Sequence, residues 1–385
     1  MILGDGLIKV LFDDAAFTQP YGGVTKYYSE MIRRLLNDVL YDISVRSSLC
    51  RYLQNPPFNY PAATHTFWTF LPWLKVRGKS YLYRFLAKTL RVIPSCEYEN
   101  RRLFVKKMRQ QDYDILHLTA PHVYTDEWQW AIGRKPIVVT IVDLIPELIE
   151  KNAAIAKKRR FVLSHVDRII AISEKTKGDI VALYGIAPEK ISVVYLGHED
   201  LPTRAECLFP GMRYLLYVGQ RRGYKNFEFF AQVAAELMAE NPDLHLVCTG
   251  HELCKAELAH FDAVGAVDRV HSVFIEQEDF PSLFSHAEAF VYPSRYEGFG
   301  IPIIDAFQAG CPVILSRCSC FPEIGGDAAL YFDDGDAKGL RECIESVMAD
   351  SHLRQALIAK GKNRSRLFTW SRCADETAAV YRSLK

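Results

Sequence analysis

The segment AEAFVYPSRYEGFGIPIIDAFQAGCPVILS, residues 287–316, carries one complete unit of the fold. It opens with an apolar run that predicts a strand, and a second apolar run at its end predicts another. Between the two runs, Gly298 and Gly300 precede an apolar stretch with Pro302 near its start, a position that favours the beginning of a helix. Strand, helix and strand in this order are typical of a parallel sheet covered by helices.

The same alternation of strands and helices extends over all 385 residues. Strands are predicted at 8–14, 113–120, 136–144, 168–173 and 191–197, and then at 213–219, 243–250, 269–274, 287–294, 311–316 and 328–332. A polar segment without periodicity, 198–212, separates the two sets and predicts a linker. The sequence thus predicts an α/β protein with two doubly wound, Rossmann-like domains, 1–200 and 201–370, and a closing helix at 371–385. Because ligands of open parallel sheets bind beyond the carboxyl ends of the strands, the expected site is a central cleft that both domains face.

The composition is that of a globular protein, with 49% apolar and 24% charged residues. No uncharged apolar run reaches the length of about 18 residues that a membrane-spanning helix needs. Acidic residues near the N-terminus do not fit a signal peptide, and the ten cysteines form no C-x-x-C pair. We therefore expect a cytoplasmic protein with reduced thiols.

Charge is distributed unevenly along the chain. Residues 1–205 hold 29 Lys and Arg against 21 Asp and Glu, a net charge of +8, whereas the remainder holds 18 against 25, a net charge of −7. At 68–91, cations alternate with aromatic residues, a mixture that suits an interfacial helix on an anionic membrane and equally a solvated helix face that covers a core. No nucleic-acid-binding motif accompanies the charge, so nucleic acid is not an expected partner.

Two loops that follow predicted strands suit an anion. Gly22 and Gly23 precede an amphipathic helix, where backbone N–H groups can approach a phosphate, although such pairs are also common turns. Arg221, Arg222 and Lys225 follow a strand and converge near the start of a helix. A pyrophosphate would satisfy them, and a solvated basic loop is the alternative interpretation.

A third loop joins the strand and the helix of the opening segment. Glu297 lies in this loop, where its carboxylate could accept hydrogen bonds from sugar hydroxyls. Asp305 lies about one turn inside the helix and could bind the two hydroxyls of a ribose, or merely complement the positive helix end. A fourth loop could reach the same cleft with Ser316, Ser319 and Glu323.

Taken in chain order, the motifs GGV, YVGQRRGYKN, PSRYEGFGIP and FPEIGGDAALYFDDGD resemble the retaining glycosyltransferases of family 4, which have the GT-B fold. The resemblance implies an acceptor-binding first domain, a second domain that binds a nucleotide sugar, and a closing helix that crosses back to the first domain. By the same resemblance, Glu297 contacts the donor sugar near the reacting carbon, Asp305 holds the ribose, and Arg221 and Lys225 bind phosphate. The remaining donor-binding residues that it implies are Gly22, Gly23, Arg222, Gly298, Phe299, Gly300 and Ile301.

Three positions depart from the family pattern. Asp305 stands where a glutamate is usual, and Gln220 stands where many members carry the phosphate-binding arginine, so Arg221 and Arg222 compete for that role. Val142 stands where many members carry a histidine that contacts the sugar, with Asp143 following it. His117, at another strand end, is our candidate replacement, and Asp143 is a further candidate for contact with the acceptor or the sugar. His122 is less favoured, and a structural role is the usual one for a lone histidine.

The resemblance is strongest to mannosyltransferases of surface-polysaccharide synthesis. It implies transfer of mannose from GDP-mannose to a saccharide, and with the basic segment 68–91 the acceptor is expected to be lipid-linked at the inner face of the membrane. No metal or other cofactor is expected, because the D-x-D within 333–336 fits helix capping. The alternatives are a UDP-sugar transferase with a small soluble acceptor and a non-catalytic nucleotide-sugar-binding protein.

Overall fold

A computed structural model describes residues 6–35, 38–63, 96–120, 127–198, 207–221, 223–274 and 279–385. Two six-stranded sheets, in which each pair of neighbouring strands is parallel, form the framework. The first sheet has the strand order β2-β1-β3-β4-β5-β6 and the second has the order β12-β11-β10-β7-β8-β9. Both are doubly wound, which confirms the predicted α/β architecture.

The strands have the following bounds. In the first sheet they are β1 Ile8–Phe12, β2 Val39–Ile43, β3 Ile115–Leu118, β4 Ile137–Ile141, β5 Arg168–Ala171 and β6 Ile191–Val193. In the second sheet they are β7 Arg213–Tyr217, β8 Leu244–Thr249, β9 Val270–Val273, β10 Ala289–Tyr292, β11 Val313–Ser316 and β12 Ala329–Phe332. The sequence did not predict β2. Among the described strands this edge strand pairs with β1 alone, and its sequence VLYDI leaves Leu40 46% exposed, so it lacks the buried apolar run of its neighbours.

The described helices connect and cover these strands. They are α1 Gly23–Ile32, α2 Arg51–Gln54, α3 Cys96–Gln110, α4 Ile145–Leu148, α5 Ala153–His165, α6 Glu174–Tyr184, α7 Phe227–Glu240, α8 Lys255–Asp262, α9 Phe280–Ser285, α10 Ile301–Ala309, α11 Phe321–Gly325, α12 Ala337–Ala349, α13 Ser351–Ser365 and α14 Trp370–Arg382. Strands β4, β10 and β11 are buried along their whole length. Burial on both faces of a parallel sheet explains why their sequences are nearly continuous apolar runs.

Helix α14 packs against the first sheet although it follows the second sheet in the chain. The hydroxyl of Tyr381 lies 2.6 Å from Nδ1 of His117 in β3, and the ring of Trp370 lies 6.5 Å from that of Tyr27 in α1. At the end of the helix, Arg382 donates to the carboxylate of Asp38 at 2.6 Å. The domain boundaries at 200 and 370 stay predictions.

Two predicted features fall partly or wholly outside the described ranges. These are the basic and aromatic segment 68–91 and most of the linker 198–212. Among the described helices, none combines the length and the apolar character needed to cross a membrane. Within the same ranges, no group of three or more His, Cys, Asp or Glu side chains could hold a metal ion.

The two sheets meet at the loop between β10 and α10. The backbone of Gly298 lies so close to that of Val142, after β4, that an added Cβ would be 1.8 Å from the Val142 carbonyl oxygen. The hydroxyl of Ser173 donates to the carbonyl oxygen of Gly298 at 2.8 Å. Only a residue without a side chain permits this approach.

Two further contacts join helix α6 to elements of the second sheet. The carboxylate of Glu323 accepts from the backbone N–H groups of Glu174 and Lys175, at 2.6 and 3.2 Å, and so satisfies donors at the start of α6. The hydroxyl of Tyr296 donates to Asp179 at 2.8 Å. These contacts hold the carboxyl ends of the two sheets toward each other.

We predict that Gly298→Ala lowers the free energy of unfolding by about 1–3 kcal/mol, the usual cost of overpacking. The added methyl group has no room beside Val142, so one side of the contact must move. Thermal and urea unfolding would measure the loss. Gly178→Ala is the matched control because nothing lies within 4 Å of the new Cβ in α6; its stability should be unchanged or higher. Equal stability of the two variants would contradict the prediction.

Candidate active site

A cleft of about 640 Å³ lies between the carboxyl ends of the two sheets. It brings together most of the residues that the sequence predicted for the site. Those that line it are Gly22, Gly23, Asp143, Glu297, Gly298, Phe299, Gly300, Ile301 and Asp305. Helices α1 and α10 both begin at this cleft, at Gly23 and Ile301, so the positive ends of two helix dipoles lie at its wall.

The loop from Glu297 to Gly300 is held rigidly. The hydroxyl of Ser319 donates to the carbonyl oxygen of Glu297 at 2.6 Å, and the thiol of Cys320 donates to that of Phe299 at 3.1 Å. Gly300 has a φ of +99°, a conformation that L-residues with side chains rarely adopt. The backbone of the loop is therefore fixed before any ligand binds.

The carboxylate of Glu297 is fixed as well. Its Oε1 atom accepts a hydrogen bond from the hydroxyl of Tyr292 at 2.9 Å and contacts the ammonium group of Lys225. Lys225 comes from the turn that follows β7, and its side chain is only 14% exposed. Burial, and then the charge of Glu297, raise the pKa of Tyr292, so that its hydroxyl remains a donor.

Asp143 is the acid that the first sheet contributes to the cleft. Burial raises the pKa of its carboxyl group, and its Oδ1 atom accepts from the backbone N–H of Ile145 at 3.0 Å. Arg159 donates to the carbonyl oxygen of Asp143 at 2.7 Å and to Glu147 at 3.0 Å. These bonds keep the turn after β4 in place.

The expectation that Arg221 faces the cleft is wrong. Its guanidinium turns toward the end of β8, where Nε donates to Glu257 at 3.0 Å and Nη1 donates to the carbonyl oxygen of Thr249 at 3.0 Å. The side chain is 7% exposed and also contacts the carbonyl oxygens of His251 and Glu252. Arg221 is thus a structural residue. Arg222 lies outside the described residues, so its role stays a prediction.

The expectation that His117 contacts the sugar is also wrong. Its ring is fully buried, stacks on Phe12 at 5.1 Å, and has both nitrogens within hydrogen-bond distance of Tyr381 and Thr140. Burial lowers its pKa from 6.5 to about 3, so the imidazole is neutral at physiological pH. His117 is a core residue covered by α14. The less favoured candidate, His122, lies outside the described residues.

The fourth loop supports the cleft without lining it. Ser319 holds the backbone of Glu297, Glu323 binds the start of α6, and the buried Ser316 donates to the carbonyl oxygen of Ser294 at 2.5 Å. In the D-x-D segment, the carboxylate of Asp336 accepts from the backbone N–H of Gly339 at 2.9 Å and caps α12, as predicted.

Sequence reasoning missed several aromatic residues at the cleft, among them Tyr292 and Phe274. Tyr292 is the last residue of β10 and is 4% exposed, whereas Phe274 follows β9 and is 81% exposed. Their signal was their position at the carboxyl ends of predicted strands, where ligands of parallel sheets bind. The sequence pattern did not mark either ring as part of a site, because aromatic residues are common in strands whether or not they line a binding site.

Two family models match the chain in the order of its two sheets. The model for Glycosyltransferase Family 4 matches residues 21–200, and the model for glycosyl transferases group 1 matches residues 204–364. The chain carries a glycosyltransferase domain of the family 4 type followed by one of the group 1 type. The residues that the two models match include both sides of the cleft described above.

Curated relatives include mannosyltransferases. The chain is 28% identical over 231 residues to O-antigen chain mannosyltransferase B of Escherichia coli, a match that covers 56% of this chain and 60% of that protein. It is 29% identical over 184 residues to O-antigen chain mannosyltransferase RfbU of Salmonella typhimurium, covering 46% and 50%. The match therefore spans about half to three-fifths of the length of these relatives.

A solved structure matches over nearly the whole chain. The crystal structure of Anabaena Alr3699/HepE in complex with UDP-glucose superposes with a TM-score of 0.70 at 16% identity, covering 98% of this chain and 100% of that one. Such a likeness confirms the GT-B fold that the sequence predicted.

The buried, neutral His117 predicts that acid destabilises the fold. Below pH 6.5 the unfolded chain binds a proton that the folded chain, with a pKa of about 3 at this position, does not. The free energy of unfolding should therefore fall from pH 6.5 toward pH 3, with about 2 kcal/mol lost between pH 7 and 5 through this group. Urea unfolding at the two pH values measures the loss. In His117→Gln, which cannot titrate, the pH dependence should be smaller by that amount, and an unchanged pH dependence would refute the prediction.

Proposed function

We propose that this protein transfers a hexose from a nucleotide sugar to a hydroxyl group of a saccharide acceptor, with retention of the anomeric configuration. The observation that carries the proposal is the fixed carboxylate of Glu297 at the start of α10, in a cleft that both sheets line. Asp305, one turn further along the same helix, suits the ribose of the donor.

The departing diphosphate is the group that the site must stabilise. The starts of α1 and α10 present backbone N–H groups and positive dipole ends to it, and Lys225 supplies a cation beside Glu297. Donors fixed in advance around a developing charge lower the barrier most when water is excluded. On the retained face, the leaving phosphate can accept the proton of the acceptor hydroxyl, so no carboxylate nucleophile and no metal cofactor is needed in this scheme.

GDP-mannose is our proposed donor. The relatives with the names given above are mannosyltransferases of O-antigen chains, which supports both mannose and a surface-polysaccharide acceptor. A UDP-sugar transferase with a small soluble acceptor is the second candidate, because the structure with a TM-score of 0.70 was solved with UDP-glucose. A nucleotide-sugar-binding protein without turnover is the third, because Val142 and Asp305 replace residues usual in the family.

Thermal stability with GDP, GDP-mannose, UDP and UDP-glucose tests the donor, because a ligand of the folded state raises the unfolding midpoint by mass action. A rise with the guanine nucleotides alone supports GDP-mannose, and a rise with the uracil nucleotides alone replaces it by a UDP-sugar. Release of free sugar from the donor that binds then separates turnover from binding. Binding without release or transfer would favour the non-catalytic candidate.

Glu297→Gln should reduce the turnover of the bound donor by about 100-fold or more, within the range seen when one electrostatic group is removed from an active site. The substitution keeps the size of the side chain and removes its charge next to the sugar. Initial rates of sugar release or transfer measure the effect. The control is Glu342→Gln, whose exposed side chain on α12 lies outside the cleft, and its rate should equal that of the wild type. Equal rates for both variants would remove Glu297 from the reaction.

We also propose that the acceptor is lipid-linked and that the protein docks on the inner face of an anionic membrane. The basic and aromatic residues of 68–91 motivate this location, although that segment lies outside the described residues. Helix α3 adds a described surface, because Arg102, Lys106 and Arg109 are exposed on one face and line a single groove. None of the three forms an ion pair with a described residue, so their charges are available to lipid headgroups.

Replacing Arg102, Lys106 and Arg109 together by alanine should weaken binding to vesicles that contain phosphatidylglycerol. At about 1 kcal/mol for each cation near an anionic surface, the expected loss is on the order of 100-fold. Vesicle sedimentation at low salt measures it, with neutral phosphatidylcholine vesicles as the reference. Alanine at the exposed Lys255, Lys338 and Lys360 of the second sheet's helices is the matched control. Equal binding by the two triple variants would refute docking through α3.

A further inference from the structure

Two donors share one oxygen atom of Glu297. The Tyr292 hydroxyl and the Lys225 ammonium both contact Oε1, and they lie 3.5 Å from each other. Glu297 is 8% exposed, so its carboxylate depends on protein donors for much of its stabilisation. A single donor would be enough to orient Oε1.

The scheme proposed above gives Lys225 a second task. It places the lysine against the diphosphate, whereas the ligand-free structure places it against Glu297. Arg221 cannot substitute for it, because its guanidinium is bound to Glu257 and to backbone carbonyl groups. If Lys225 moves to the phosphates, a buried carboxylate loses a positively charged partner, and the cost of that loss weakens nucleotide binding.

We propose that Tyr292 is a positioning residue that allows the ammonium group of Lys225 to leave Glu297 and bind the diphosphate instead. Its hydroxyl remains on Oε1 when the ammonium leaves, so Glu297 keeps its orientation toward the sugar. The inference rests on the proposed function, since it assumes that the cleft binds a nucleoside diphosphate.

The surroundings of Tyr292 suit this role. Its ring lies 4.9 Å from that of Phe321 and 5.4 Å from that of Phe290, so the hydroxyl is held in place by packing in the core of the second sheet. A neutral phenol donates to Glu297 without adding a positive charge that would compete with Lys225 for phosphate. The backbone of Glu297 is held separately by Ser319, so the exchange involves side chains alone.

Tyr292→Phe removes the hydroxyl and keeps the ring. Lys225 is then the described donor that remains on Oε1, and a diphosphate must compete with Glu297 for it. We expect the dissociation constant of the nucleoside diphosphate to rise roughly tenfold, in line with loss of a hydrogen bond to a charged group. The affinity for the nucleoside, which has no phosphate, should not change.

The decisive comparison is made in a chain that carries Glu297→Gln. The neutral amide of glutamine holds the ammonium group of Lys225 less strongly than the carboxylate does, so this variant should bind the diphosphate at least as tightly as the wild type does. Adding Tyr292→Phe to it should have no further effect, because the two residues act through one interaction. Tyr214→Phe is the matched control, since this buried tyrosine in β7 donates only to the Leu283 carbonyl oxygen, at 2.7 Å, away from the cleft.

Isothermal titration calorimetry with GDP, UDP, guanosine and uridine, on the full chain and these variants, tests the inference. A loss of diphosphate affinity in Tyr292→Phe that vanishes in the Glu297→Gln background supports it. Wild-type affinity in Tyr292→Phe, an equal loss for the nucleoside, or persistence in the Glu297→Gln background overturns it. If Tyr292→Phe does not fold, the affinity of Glu297→Gln for the diphosphate tests the proposal by itself. Weaker binding by that variant than by the wild type overturns the proposal that Lys225 moves from Glu297 to the diphosphate. Failure of the wild type to bind either nucleotide overturns the proposed function first.

Discussion

The contact between Gly298 and the carbonyl group of Val142 governs the geometry of the site. It brings the loop before α10 against the turn after β4, so that the catalytic candidates of the two sheets face one space. A side chain at position 298 would separate these backbones, and Ser173 could no longer reach the carbonyl oxygen of the glycine. The cleft is thus defined by backbone approach, and its polar side chains are arranged around that fixed point.

The charged groups of the site are also arranged around this cleft. The chain up to residue 205 is basic and the remainder is acidic, yet the cleft itself holds Asp143, Glu297 and Asp305 beside few cations. Three carboxylates near one cavity repel a phosphate unless N–H groups and a lysine offset them. The starts of α1 and α10 bring their positive dipole ends to the cleft, and each helix begins directly after a glycine, Gly22 and Gly300. The proposed binding of an anionic ligand in this cleft therefore depends on backbone dipoles as much as on charged side chains.

The sequence was sufficient for features that depend on local pattern. The strand, glycine loop and helix at 287–309 were predicted because their periodicity and glycine positions are written in consecutive residues. Arg221 and Lys225 lie four positions apart in the same basic loop, and local pattern does not separate them. The difference comes from Glu257, which holds Arg221 from 36 positions away. His117 was misassigned for the same reason, since its partner Tyr381 lies 264 positions further along. Side-chain direction in such cases is decided by tertiary partners.

The return of α14 to the first sheet has a consequence for the order in which the protein folds. His117 and Tyr27 are made early in synthesis, whereas Trp370 and Tyr381, which cover them, leave the ribosome only after the whole second sheet. Until then, the apolar surface beneath α14 is open to water and to other chains. Contacts between such distant residues slow folding, and exposed apolar surface favours aggregation. The nascent chain therefore passes through a period in which every residue of its first sheet has been made and the helix that covers part of that sheet has not.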